Sequence, residues 1–311
     1  MNTYTFDRQS IKDGTLLHDF PVNVIVETSA YCNLKCIMCP HSSLKREKGN
    51  MNLDVFQKIV DEVASINPDT TLWLALMGEP LMNPGRLTSM IIYAKRHGLT
   101  DVRLNTNGLL LTTLYAESLV SLGLDYILVS VDAHQSRTYE KIRAGGDLHK
   151  LTKNIECILA LRNQNQSKLK IVTQFIIMDE NETEVDDFKE YWLEKGAIVK
   201  IRPKLSWGNT VPASNLNLTQ CDRTYPCPWL LRTMSIHWTG KLAQCDFDFE
   251  GEYSPGDITK QTIRQIWHGE IRRRQLRHFT RDFTHPLCRT CKDWQVGRSL
   301  FFEKGKGSVN G

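Results

Sequence analysis

Cys32, Cys36 and Cys39 stand in one run, Cys32-Asn33-Leu34-Lys35-Cys36-Ile37-Met38-Cys39-Pro40, directly after an apolar stretch. Three thiolates so close together can hold three irons of a 4Fe-4S cube and leave the fourth iron without a protein ligand. An open coordination position is what separates a reactive metal site from a structural one. The alternatives are a zinc site, which normally draws a fourth ligand from another pair, and a few buried thiols, which show no fixed spacing. His41 could supply a further ligand, although a lone His reads first as a loop residue.

A second set lies far downstream: Cys227, Cys245 and the CxxC pair Cys288/Cys291. Residues 235–238 and 241–245 flank Thr239-Gly240, which predicts a short hairpin carrying Cys245 back towards Cys227. A helix from Thr262 to about Phe279 then delivers the Cys288/Cys291 pair. With a single CxxC knuckle, zinc is again the alternative. Cys157, among Ile155, Ile158, Leu159 and Leu161, is expected to be a buried core thiol. Cys221 reads as either a loop thiol or a hydrogen-atom donor.

The CxxxCxxC spacing resembles the signature of the radical S-adenosylmethionine (SAM) superfamily. The resemblance implies SAM chelated at the open iron, its reductive cleavage to methionine and a 5'-deoxyadenosyl radical, and an external one-electron donor such as flavodoxin or ferredoxin. Met77-Gly78-Glu79-Pro80 resembles the family's Gly-Gly-Glu-Pro motif, which receives the SAM ammonium; Met77 replaces the first Gly. Asn105-Thr106-Asn107-Gly108 and Ser130-Val131-Asp132 are similar to the family's ribose and carboxylate contacts, so Asn105, Asn107, Ser130 and Asp132 are candidates for holding SAM. By the same resemblance Arg143, before Gly145-Gly146, pairs with SAM's carboxylate, which a guanidinium fork suits. Gln174 is polar in a buried strand and reads as either a residue lining the active site or a satisfied core amide.

The downstream cysteines are similar to the twitch form of the SPASM domain. Cys227, Gly240 and Cys245 match its opening, and Gly297 stands where the full pattern would place another Cys. This implies one auxiliary 4Fe-4S cluster on Cys227, Cys245, Cys288 and Cys291. Length, cluster spacing and the segment Cys39-Pro40-His41-Ser42 resemble the aminocyclitol dehydrogenases of aminoglycoside biosynthesis. A small polar substrate, a sugar or aminocyclitol oxidised at an alcohol carbon, is therefore the expectation. Epimerisation with a thiol donor such as Cys221 is the first alternative. Modification of a peptide or protein is another; such relatives often carry a leader-recognition domain, for which the roughly twenty residues before the first strand are too few. A zinc-bearing interaction module with a basic helix is the non-enzyme alternative.

These residues need a frame to position them. Short apolar runs alternate with helical patterns: strands at 22–27, 71–76, 102–105, 126–131, 170–177 and 198–201, helices at 52–66, 87–97, 114–122, 151–162 and 184–194. Six βα repeats predict an α/β fold, an open partial (β/α)6 TIM-like barrel, with a small C-terminal Fe-S domain. In such folds the loops at the C-terminal strand ends form the site, which is where the polar motifs fall. The expected organisation is an N-terminal extension (1–21), the core (22–202), a linker crossing the open end of the barrel (203–226), the auxiliary-cluster domain (227–302) and a tail (303–311). The 311 residues are 41% hydrophobic and 24% charged, with no apolar run long enough for a bilayer and no signal-peptide core at the start. No membrane association and a cytoplasmic location, where thiols stay reduced, are the expectation. A net charge of +4 is too mild to indicate nucleic acid, and the run Arg272-Arg273-Arg274 with Arg264, Arg277 and Arg281 reads as a solvated helix face.

Overall fold

The computed structural model describes residues 15–212, 223–295, 299–306 and 309–310; Cys221 and Gly297 lie outside them. Six parallel strands lie side by side in chain order: β1 (Asn23–Val26), β2 (Thr71–Leu74), β3 (Val102–Thr106), β4 (Tyr126–Ser130), β5 (Lys170–Ile177) and β6 (Ile198–Pro203). The helices between them are α1 (Leu53–Ile66), α2 (Pro84–Arg96), α3 (Thr113–Ser121), α4 (Ser136–Ile142), α5 (Leu148–Gln164) and α6 (Val185–Glu194). This is the predicted partial barrel.

The period-two alternation of the strands sorts the two faces of the sheet. Val24, Val26, Leu72 and Leu74 turn outward and merge with Phe56, Ile59 and Val63 of α1 in one large core. Tyr126, Leu128 and Val172 turn inward, where they pack with Trp73, Ile198 and Phe301 as an apolar floor to the concave face. Above that floor the same face turns polar. Ser130, Gln174 and Lys200 stand level in adjacent strands.

The C-terminal segment extends this sheet at both edges. After α7 (Pro228–Arg232), β7 (Thr233–Ile236) pairs parallel with β1, from Asn23 opposite Thr233 to Val26 opposite Ile236. β8 (Leu242–Ala243) folds back on β7. The turn between them uses Gly240 at φ +90°, a conformation that glycine adopts without a Cβ penalty. At the far edge β9 (Leu300–Phe302) runs antiparallel to β6, with β10 (Val309–Asn310) beyond it. The sheet order is thus β8-β7-β1-β2-β3-β4-β5-β6-β9-β10. The hairpin of the sequence reading is present, but its first strand starts at Thr233, because its main-chain partner is β1.

Two local expectations are corrected. The helix from Thr262 is not continuous: α8 (Ile263–Ile266) passes through a π turn (Trp267–Ile271) into α9 (Arg272–Phe279), and Gly269 leaves helical geometry at φ −88°, ψ −110°. The extra residue in the wide turn keeps both Trp267 and Ile271 buried, and the Trp267 indole donates to the His18 carbonyl at 3.0 Å. Cys157 is half-buried rather than in the core, and its thiol reaches Thr113 Oγ1 at 3.6 Å. It falls two residues after the buried Ile155, on the flank of the apolar stripe of α5.

The basic run is largely answered from within: Arg272 donates to the His18 carbonyl, Arg274 pairs with Glu270 at 2.8 Å, and Arg277 pairs with Asp282 at 2.6 Å. No described helix is long and apolar enough to cross a membrane.

Candidate active site

The first three cysteines follow β1 on the loop that the C-terminal end of that strand feeds. The loop is held from several directions. Lys35–Cys36 pairs antiparallel with Arg143–Ala144, and the Ile37 amide donates to the Ile142 carbonyl at 2.9 Å. His41 Nε2 lies 2.9 Å from the Ala30 carbonyl, so that nitrogen is already engaged in closing the loop.

Each polar motif arrives at the same rim. A Cβ on Gly78 would lie 1.9 Å from the Ser29 carbonyl oxygen, so the main chain passes the cysteine loop at a distance only glycine permits. Glu79 is buried; its amide donates to the Tyr31 carbonyl at 2.7 Å. Its carboxylate accepts from Thr106 Oγ1 (2.6 Å), the Asn107 amide (2.7 Å) and the Leu81 amide (3.0 Å). Burial raises the Glu79 pKa against these bonds. Pro80 opens the short turn to Met82. Asn107 Nδ2 bridges to Asn33 Oδ1 at 2.8 Å and lies 4.0 Å from Cys32 Sγ. Asn105 Oδ1 accepts from Ser130 Oγ at 3.3 Å, one level down on the concave face.

Asp132, at φ +65°, and Arg143 form the most enclosed ion pair of this rim. Arg143 Nε and Nη2 both donate to Asp132 Oδ2, the former at 2.9 Å, while Nη1 lies 3.7 Å from Cys36 Sγ. Asp132 Oδ1 accepts from the Ile176 amide at 2.7 Å. Gln174 contributes its carbonyl to the Val131 and Asp132 amides, both at 3.1 Å, and its buried side chain faces inward between Ser130 and Lys200.

Burial pushes the thiols up, Cys39 to about 12 with added repulsion from Cys36 and Cys32; Cys32 and Cys36 move the same way. Such thiols keep their protons unless a metal displaces them. The side-chain N–H groups of Arg143 and Asn107 approach the Cys36 and Cys32 sulfurs, an environment that suits thiolate ligands.

The downstream cysteines also gather. Cys227 caps α7 and its amide donates to His278 Nδ1 at 3.3 Å; Cys288 lies in α10 (Pro286–Thr290) and Cys291 ends it. Burial and mutual repulsion raise Cys288 to about 11 and Cys291 to about 12, and Cys245 moves in the same direction, with Cys227 contributing to each shift. Among the described residues no three such side chains converge as one ion would require; ligands of different irons in one cube have no need to. Both sets fit 4Fe-4S clusters by donor chemistry.

Several residues around this site were missed in the sequence. Asp246, next to Cys245, makes a short bond with Ser235 and is bonded by the Trp229 side chain; burial raises it to about 6. Ser235 stands opposite Ile25, on the inward face. Lys200 and Arg202 project inward from β6, and their signal was two cations at alternate positions of a strand. Arg46 links the two halves: it pairs with Glu27 at 2.5 Å and donates to the Phe249 carbonyl at 2.6 Å. Thr210, Val211 and Pro212 of the linker line a cavity of about 320 Å3 together with Cys36 and Cys39, so the linker returns to the first cysteine loop.

The comparisons agree with this geometry. The family model described as Radical SAM superfamily matches residues 26–191, and the SPASM model, an iron-sulfur cluster-binding domain, matches residues 227–292. A probable GTP 3',8-cyclase of Methanococcus maripaludis is 33% identical over 171 residues, 55% of this chain and 54% of that protein. The chain thus spans about half the length of that relative. A tungsten-containing aldehyde ferredoxin oxidoreductase cofactor-modifying protein of Pyrococcus furiosus is 24% identical over 313 residues, 86% of each chain. Among solved structures, BtrN in complex with AdoMet and 2-DOIA superposes with a TM-score of 0.61 at 18% identity, covering 88% of this chain and 93% of that one. SuiB of Streptococcus suis bound to precursor peptide SuiA gives 0.69 at 12%, covering 90% and 71%. SAM, a SAM-binding 4Fe-4S cluster and auxiliary Fe-S chemistry follow from the two matched domains, as does the need for an external electron donor. With the matched domain covering more than half of its residues, the chain belongs to the radical SAM superfamily and carries a C-terminal SPASM domain.

Proposed function

We propose that this enzyme binds a small polar substrate, a sugar or aminocyclitol, in the concave lumen and oxidises one of its alcohol carbons. The observation that supports this reading is that residues adjoining both thiol sets come to one sheet: Arg143 lies beside Cys36, and Asp246, next to Cys245, accepts from Ser235 on the inward face of β7. When bound, SAM and its cluster would supply a hydrogen-atom acceptor and the auxiliary cluster an electron acceptor, while the hydroxyl proton would leave to water.

The chain's own residues bind and enclose. Asn105, Ser130 and Gln174 offer neutral hydrogen-bonding groups suited to hydroxyls, and Asp246 offers acceptor oxygens on the auxiliary side. Thr210, Val211 and Pro212 of the linker lie beside the first cysteine loop, where they line a cavity with Cys36 and Cys39. Gly78, Glu79 and Pro80, with Asn107, Asp132 and Arg143, shape the rim that receives SAM. Cys32, Cys36 and Cys39 hold the first cluster; Cys227, Cys245, Cys288 and Cys291 hold the second.

Anaerobically reconstituted protein should carry about eight irons and form 5'-deoxyadenosine from SAM with a reductant. With sugars or aminocyclitols deuterated at one carbon, label should appear in the 5'-deoxyadenosine and the substrate should become a carbonyl compound. Label transfer from a nucleotide or a peptide and from no sugar would overturn this substrate class; the names of the cyclase and SuiB relatives make those the comparison arms.

A further inference from the structure

Two cations stand on the lumen wall with no carboxylate partner among the described residues. Lys200 and Arg202 are alternate residues of β6, so both project to one face. The register puts Lys200 level with Gln174 and Phe301 and Arg202 level with Ile176. Ile176 packs with Met38, Ile142 and Met178 beside Cys36, so Arg202 lies at the height of the first cysteine loop.

The neighbouring interior cations are answered. Arg103 makes a two-pronged pair with Asp101, Nε to Oδ1 at 2.7 Å, and Arg143 is held by Asp132. Among the described residues no acid forms an ion pair with Lys200 or Arg202. The carboxylates whose field reaches Arg202 are committed elsewhere. Asp132 holds Arg143 and the Ile176 amide, Asp293 holds the Ser206 amide (2.6 Å) and hydroxyl (3.0 Å), and Asp246 holds Ser235. The Lys200 ammonium lies 5.6 Å from the Phe301 ring.

Although only half-buried, each cation is still disfavoured by lost hydration. Repulsion adds to this: Arg202 and Arg103 act on Lys200, and Arg143 acts on Arg202. Two adjacent charges kept at that cost call for an anion that can offset both. A phosphate dianion matches a charge of two, and its oxygens fit the fork of a guanidinium beside the point charge of an ammonium. A carboxylate would leave one cation unanswered.

We infer that Lys200 and Arg202 form a subsite for a phosphate ester of the substrate, which anchors it below the first cysteine loop. This deepens the proposed function and rests on its placing of the substrate in the lumen.

The test uses the reconstituted, SAM-loaded holoenzyme with inorganic phosphate as the probe, by calorimetry. Phosphate should bind the wild type at least about 10-fold more tightly than acetate does, and Lys200→Gln and Arg202→Gln should each weaken it by about 10-fold or more. Arg202→Lys, which keeps the charge and loses the fork, should fall between. Iron content and far-UV circular dichroism show that each variant is folded; if Arg202→Gln is not, Lys200→Gln carries the comparison. Equal phosphate affinity in wild type and a folded variant, or acetate binding as tightly as phosphate, would overturn the subsite. The earlier reading is judged separately, by label transfer to 5'-deoxyadenosine. Its failure with every sugar leaves the phosphate affinities to decide this proposal.

Discussion

The Arg143 guanidinium turns two of its three nitrogens to the Asp132 carboxylate and the third towards Cys36 Sγ, 3.7 Å away. The same carboxylate accepts from the Ile176 amide. One buried pair thereby ties the end of β4, the end of β5 and the first cysteine loop together. Its partners come from segments far apart in the chain, so it acts as a clamp on the site.

Removing one partner of a buried pair leaves an uncompensated charge, which costs about 3–5 kcal/mol. Asp132→Ala should lose that much stability in chemical denaturation. It should also lower iron loading of the first cluster more than of the second. Arg143→Ala should do the same, and the double variant should cost less than the sum of the two.

Gly78 passes the Ser29 carbonyl where no Cβ fits. Gly78→Ala must push the Met77–Pro80 segment away from the cysteine loop. A displacement near 1 Å at a reacting site costs about 100-fold in rate. SAM cleavage, followed as 5'-deoxyadenosine, should fall by that order while the far-UV spectrum is unchanged.

The two thiol sets should separate by function. Cys245→Ala or Cys291→Ala should leave about four irons per chain and retain 5'-deoxyadenosine formation, with loss of the oxidised product. Cys36→Ala should abolish 5'-deoxyadenosine altogether. Iron analysis with product chromatography reads both outcomes.

Cys221 separates oxidation from epimerisation. Cys221→Ala should leave product formation intact if the alcohol is oxidised. Loss of product with SAM cleavage preserved would identify the thiol as a required hydrogen donor.

Lys200 provides a pH signature. Burial, with Arg202 and Arg103 nearby, lowers its pKa to about 7, while an unfolded lysine titrates near 10.4. Between those values the unfolded chain binds the extra proton, so this residue's contribution makes stability rise with pH. It is lost as pH falls through about 7. Lys200→Met should therefore be more stable than wild type at pH 6, and the gap should narrow by pH 10 in urea unfolding.

The chemistry of the site was legible where it depends on neighbours along the chain. The CxxxCxxC run, the CxxC pair and the Gly78-Glu79-Pro80 turn are local patterns, and so is the alternation that marks six strands. Cys157 was misplaced because an apolar neighbourhood in sequence does not say which side of a helix faces in. Asp246, the Glu27–Arg46 link and the Lys200 and Arg202 cations of β6 were hidden, because a charge shows its role only when its partners are known.

The sequence by itself determined the donor atoms and the βα rhythm, since ligand type and side-chain period are properties of short segments. Only the tertiary structure decided that β7 would pair with β1 and β9 with β6, which joins the C-terminal segment to both edges of the barrel sheet. Main-chain hydrogen bonds between strands carry no residue signature. Their register comes from which faces can be buried together, and that is settled by the whole chain at once.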